Sequence, residues 1–288
     1  MVYLSDSFVR PLAEYPIYPP YHSGLYLEEY FFNRWNQENN QSDRIYIDIF
    51  WTNIYCNRSY LSDYFSFDIQ KYLKDNLDYS KKYFTICQHD DGPFEDLPED
   101  TIIFSAGGNR TKGNIKPIPL ICGPIPNYIK PKINKDIFAS FVGSVTHNVR
   151  HMMIHALKDK SDYIIRAGLW SPNIPIGNFQ LFLELTSRSK FTLCPRGYGP
   201  SSFRMYETFQ LGSVPVYISD KKYLPWTDEL DWGDFAVIVD EYEIPYIDHI
   251  LKEISDERYN ELINNGQKIY NKYFSMEGMY QNIKKRLL

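Results

Sequence analysis

The chain has 288 residues and a mass of 34.1 kDa, enough for about two cores, and its 43% hydrophobic, 17% aromatic and 23% charged content is that of a packed globular protein. Disordered, collagenous and coiled-coil classes are thereby excluded. A formal net charge of −5 and an isoelectric point near 5.7 supply no bulk positive field, so a general nucleic-acid binder is not expected and any anionic ligand needs a local pocket.

Asp6, Arg10, Glu14 and repeated prolines break the first 30 residues, and no run of roughly 18 apolar residues occurs, so neither signal peptide nor membrane anchor is expected. A cytoplasmic location follows as the expectation. Short β-type runs lie at residues 44–50 (RIYIDIF), 83–88 (YFTICQ) and 101–105 (TIIFS), with a helix predicted over residues 61–77. Pro117, Pro119, Pro124, Pro126 and Pro131 then remove donors and fix φ, which predicts an extended linker ending near Lys132. Domains of residues 1–131 and 132–288 result.

Past that point, apolar runs at residues 138–142, 163–166, 191–194, 214–219 and 235–239 alternate with helical patterns at 148–157, 178–187 and 201–211. Alternation at this spacing predicts βαβ units, a parallel sheet and a Rossmann-like second domain. Residues 247–288 have helical patterning and are expected to pack back across the first domain. Cys56, Cys87, Cys122 and Cys194 form no Cys-x-x-Cys pair, so reduced thiols are predicted and no zinc site.

Residues 190–220, KFTLCPRGYGPSSFRMYETFQLGSVPVYISD, carry the chemistry. A strand ends at Cys194, a turn with Gly197 and Gly199 follows, and Pro200, Ser201 and Ser202 suit a helix start. Free backbone N–H groups at such a start favour an anion. Arg196 and Arg204 place two guanidinium forks nearby, and Glu207, one turn on, can accept from a ribose diol. Phosphate donors beside a sugar acceptor suggest a nucleotide. Two other readings stay open: an ordinary Arg204–Glu207 surface pair, and a dinucleotide fingerprint in Gly197-x-Gly199-x-x-Ser202 with Asp220 on the ribose of an oxidoreductase cofactor.

The order Lys190-Phe191, Cys194-Pro195-Arg196-Gly197, Ser202-Phe203-Arg204, Glu207, Gly212-Ser213-Val214-Pro215-Val216 and Asp220 resembles the exostosin-like glycosyltransferases. Leu224-Pro225, Asp231-Trp232 and Phe235 continue the pattern, and Phe141-Val142-Gly143-Ser144 with Arg150 is similar to the family's entry strand. The resemblance covers about residues 138–239. It implies a GT-B-like α/β fold, two Rossmann-like domains with a ligand cleft between them, and transfer of a sugar from a nucleotide-sugar, UDP being the family's usual nucleotide, to a glycan or glycoconjugate acceptor. Gly143, Ser144, Arg150, Arg196, Gly197, Gly199, Ser201, Ser202, Arg204 and Glu207 would hold the donor.

An inverting reaction is implied, with a base from the first domain. His89, Asp90 and Asp91, on the turn after the strand at residues 83–88, are the candidates, with Asp48 second; a plain Asp-Asp-Gly-Pro turn is the alternative. The sequence contains no Asp-x-Asp, so protein cations rather than a metal are expected to neutralise the diphosphate, and no cofactor beyond the donor substrate is expected. His147, His151 and His155 share one helical face, read as a surface or interdomain face rather than a metal site. Trp51, Trp170 and Trp226 are possible sugar platforms. A donor-binding module without a base is the non-enzymatic alternative.

Overall fold

Parallel sheets are covered on both faces and therefore need strands that are apolar throughout, and this chain supplies such runs in two groups. The computed structural model describes residues 8–14, 26–38, 40–60, 67–121, 123–130 and 134–288. The first group comprises α1 (Leu27–Gln37), β1 (Ile45–Tyr46), α2 (Trp51–Tyr60), α3 (Ile69–Asn76), β2 (Tyr83–Cys87), β3 (Ile102–Ser105) and β4 (Asn114–Pro117). Its sheet runs β1-β2-β3-β4, all parallel, with Phe84 opposite Ile102 and Ile102 opposite Asn114.

The structure departs from expectation here in several places: the run at 44–50 gives only the two-residue β1, and α1 and α2 form where no helix was expected. β4 (NIKP) is half-exposed and polar, an edge strand that tolerates Pro117 at its end, and nothing apolar announces it. The helix expected over 61–77 is α3 alone among the described residues; residues 61–66 lie outside them. The proline-rich stretch is no free linker: Ile118, Leu120 and Ile121 join the core of the first sheet, and Ile125 packs with Phe179, Phe182 and Leu183. Residues 131–133, where the boundary was expected, lie outside the described residues.

The second group comprises β5 (Ile137–Ser144), α4 (Asn148–Leu157), β6 (Tyr163–Gly168), α5 (Ile176–Arg188), β7 (Ser189–Pro195), α6 (Phe203–Gln210), β8 (Val214–Ser219) and β9 (Val237–Asp240). Its parallel order is β6-β5-β7-β8-β9, the doubly wound 2-1-3-4-5 arrangement. The order reverses between β5 and β7. At such a switch the flanking helices leave on opposite faces, and a crevice opens at the carboxyl ends of the two strands.

The chain closes with α7 (Ile247–Lys252), α8 (Asp256–Ile269), a π turn (Tyr270–Phe274) and α9 (Met276–Leu287). α9 lies against α1: the buried rings of Phe31 and Tyr280 sit 5.2 Å apart, Arg34 forks onto Glu277 at 3.0 Å, and Lys284 meets Glu38 at 2.6 Å. One core cluster takes Leu27, Phe31 and Phe84 together with Tyr206, Phe274, Met279 and Ile283, so the two lobes share buried apolar area. Burial of these rings, not the exposed ion pairs, supplies most of the adhesion. Among the described residues no helix is long and apolar enough to cross a membrane.

Candidate active site

The carboxyl ends of both sheets face one another. Behind β7, Lys221 donates from Nζ to the Gly108 carbonyl at 2.7 Å, and Tyr223 donates to the Ser105 carbonyl at 2.8 Å, joining the ends of β8 and β3. Two parallel α/β lobes meeting at their carboxyl edges make the GT-B-like arrangement, with a cleft along the seam.

On one side of the cleft the β5/β7 switch gathers three buried arginines, Arg150, Arg196 and Arg204. Arg204, in the first turn of α6, lies 4.7 Å over the Phe141 ring and donates to the Val142 carbonyl. A Cβ at Gly143 would collide with its guanidinium, so this position needs glycine for Arg204 to pass. Arg150, in the first turn of α4, donates to the carbonyls of Arg196 (2.9 Å), Ser144 (2.5 Å) and Pro195 (3.3 Å), tying the end of β5 to that of β7. Gly197 gives it room, because a Cβ there would stand 2.9 Å from Arg150 Nη2.

Arg150, Gly143 and Gly197 were expected to hold the donor, and these contacts give each of them a structural role. Arg150 spends its fork on backbone carbonyls, and the two glycines provide clearance for arginines. Arg196 is also partly engaged: Nη1 meets Asp220 Oδ1 at 2.6 Å and Nη2 donates to the Tyr198 carbonyl at 2.8 Å. Against the penalty of burial, the Arg196 hydrogen bond and charge hold Asp220 below the usual carboxylate range. Asp220 therefore orients Arg196 and is not poised as a ribose acceptor for a dinucleotide. Ser202 is the N-cap of α6 without a side-chain cap bond, Ser201 is buried just before it, and Glu207 is buried one turn after Arg204.

Across the cleft, β2 runs into Gln88-His89-Asp90-Asp91. His89 is seated among aromatics, 5.2 Å from Tyr55 and 5.8 Å from Phe94, and burial lowers its pKa. Its Nδ1 accepts from the Asp91 N–H at 3.3 Å, a turn-closing bond. Asp91 accepts from Asn109 at 2.9 Å and from Tyr198 across the cleft at 3.3 Å. Asp90 points at Gly199, where a Cβ would strike its carboxylate, and so sits between the lobes. Burial, then the charge of Asp91, push Asp90 up to about 7 against Arg196 and Arg150. Asp90 combines cleft position with a titration suited to proton transfer near neutrality.

One group in this lobe escaped sequence reasoning. The buried Glu28 carboxylate accepts from Thr52 N–H (3.2 Å), Thr52 Oγ (2.6 Å) and Gln88 N–H (3.1 Å), while Gln88 Oε1 accepts from Leu27 N–H at 3.1 Å. It thus pins the root of the Asp90 turn to α1 and α2. An acidic residue inside the apolar run LEEYFF was the available signal. Glu28→Ala is expected to destabilise by about 2–3 kcal/mol, because buried donors lose their acceptor, and Glu28→Gln by less; urea unfolding of both variants measures it.

Other candidates fall away. Asp48 is buried against Arg10 at 2.7 Å and pushed up to about 6 by burial. His147 is the N-cap of α4 rather than part of a three-histidine face, while His151 and His155 point to solvent. Among the described residues no three His, Cys, Asp or Glu side chains cluster to hold a metal. Trp51 and Trp226 are core; Trp170 is exposed.

The Exostosin GT47 domain pattern matches residues 101–254, more than half of the chain and all of the β5/β7 crevice. The chain belongs to the exostosin GT47 family. Similar proteins include "Probable glycosyltransferase At3g07620" of Arabidopsis thaliana, 34% identical over 155 residues, covering 53% of this chain and 32% of that protein. "Probable beta-1,4-xylosyltransferase IRX10L" of the same plant is 42% identical over 76 residues, covering 26% and 18%. "Exostosin-1 homolog" of Caenorhabditis elegans is 39% identical over 90 residues, covering 31% and 24%. The aligned part is thus a third or less of each relative. Among solved structures, TarM aligns with a TM-score of 0.42 at 10% identity, covering 71% of this chain and 50% of TarM. The pneumococcal O-GlcNAc transferase GtfA, in complex with UDP and GlcNAc, gives 0.40 at 13%, covering 76% and 59%. The Asp90 turn of this GT47 chain lies before the matched region.

Proposed function

We propose that this chain is an inverting glycosyltransferase that moves a sugar from a nucleotide-sugar, a UDP-sugar in the first instance, to a glycan or glycoconjugate acceptor. The observation that carries the reading is the pairing across one cleft of an arginine-lined switch-point crevice with the Asp90 carboxylate, set against Gly199 between the lobes. The donor's diphosphate meets Arg196, Arg204 and the start of α6, and Glu207 accepts from the ribose hydroxyls. The acceptor oxygen attacks the anomeric carbon, the bond to the diphosphate oxygen breaks, and Asp90 takes the hydroxyl proton. The departing negative charge stays on the diphosphate beside the guanidinium groups.

Protein cations do the neutralising in this scheme, so no metal or cofactor is invoked. The oxidoreductase reading is not favoured, since the carboxylate it needs, Asp220, is committed to Arg196. The unpaired thiols of Cys87 and Cys194 support placing the protein in a reducing compartment such as the cytoplasm.

The test is release of nucleoside diphosphate from a panel of UDP- and GDP-sugars, with and without EDTA. Release from a UDP-sugar, unchanged by EDTA, is expected. Complete loss in EDTA with recovery in Mn²⁺ contradicts the metal-free scheme, and no release from any donor contradicts the enzyme.

A further inference from the structure

Two exposed aromatic side chains, Phe94 (59% exposed) and Tyr198 (59%), adjoin the Asp90 turn, and two more, Tyr60 (40%) and Trp170 (55%), pair with one another from opposite lobes. Soluble surfaces seldom gather large rings without a use for them. Phe94 flanks His89, and the Tyr198 hydroxyl reaches Asp91 at 3.3 Å. Tyr60, from the first lobe, stacks on Trp170, from the second, with centroids 6.2 Å apart and planes 22° from parallel. The Tyr60 phenol is pushed up by burial, by Cys56 and by the charge of Asp90, which puts it within electrostatic reach of the base.

The acceptor side of this rim carries acids. Asp90, Asp91 and Glu95 supply acids, and two cations on this side donate to backbone carbonyls, Arg110 to those of Lys112, Pro93 and Glu95 and Lys221 to that of Gly108, while Arg196 and Arg150 lie on the donor side of Asp90. A pyranose offers C–H faces that pack on aromatic rings and hydroxyls that donate to carboxylates. A uronic acid would bring a further carboxylate beside Asp90 and Asp91, which repel it.

We propose that the acceptor is a neutral oligosaccharide, seated on the aromatic rim of Tyr60, Phe94, Trp170 and Tyr198, and that this rim selects against uronic-acid-bearing chains. The proposal rests on the transferase reading and names its acceptor class.

The test is saturation-transfer NMR on the full chain with UDP present, using xylo-, cello-, laminari- and manno-hexaose against hexasaccharides of heparosan, hyaluronan and polygalacturonate. At least one neutral chain is expected to bind at least about tenfold more tightly than any uronate, with Trp170→Ala and Phe94→Ala each weakening it about tenfold. Equal or tighter uronate binding, no neutral binding, or binding indifferent to both variants overturns the proposal. Both rings are exposed, so the variants are expected to fold, and a retained UDP-induced melting shift checks this. Loss of UDP response in the unmodified chain instead strikes the transferase reading itself.

Discussion

Asp90→Asn is expected to lower transfer by about 10²–10⁴-fold while UDP still binds, because the amide keeps the shape and cannot take the proton. In the unmodified chain, turnover should rise with pH through about 7 to a plateau, following ionisation of Asp90. The variant's residual rate should lack that rise. Stability gives an independent reading with an opposite sign. A carboxyl whose pKa is raised in the folded state favours folding least when ionised, so its penalty is absent near pH 4, grows as pH rises to about 7, and stays constant above. Asp90→Asn should therefore melt higher than the parent at pH 8 and alike at pH 4. Unchanged turnover at pH 8 would remove Asp90 from the mechanism and return His89 and Asp91 to consideration.

The second large effect concerns the donor. Glu207 is buried one turn behind Arg204 and assigned to the ribose, so Glu207→Gln is expected to weaken UDP binding by about 10–100-fold, the loss of a charge-assisted bidentate contact. A merely structural Glu207 would weaken every nucleotide alike. The discriminating comparison is UDP against 2′-deoxy-UDP: the parent should prefer UDP by at least about tenfold, and the variant should lose most of that preference. Equal discrimination in both proteins would take the ribose away from Glu207.

The second lobe was the more readable from sequence, for a physical reason. Its strands are buried on both faces and its helices amphipathic, so the pattern at residues 148–157 and 214–219 coincides with α4 and β8. In the first lobe the local signals are weaker: β4 is polar, and α2 buries Trp51, Asn53, Ile54 and Tyr55 around much of its circumference and shows no clear stripe. Ile118, Leu120 and Ile121 lie between prolines yet fill a core, which proline punctuation conceals.

The site divides the same way. Arg204 and Glu207 stand three apart on one helix, and spacing alone makes them neighbours. The Arg196–Asp220 pair, the Arg150 clamp and the contact of Gly199 with Asp90 join residues from different strand ends, set only when the strands align. Glu28, 60 residues before the backbone N–H of Gln88 that it accepts from, is the extreme case.

The central claim is that a nucleotide-sugar sits in the β5/β7 crevice with Arg204 at its phosphates. Calorimetric titration of UDP, GDP, ADP and NAD into the parent and Arg204→Ala addresses it most directly. One nucleoside diphosphate, UDP first, binding the parent at a single site and failing to bind the variant is the predicted result. Binding of NAD alone, or UDP binding untouched by Arg204→Ala, would contradict it.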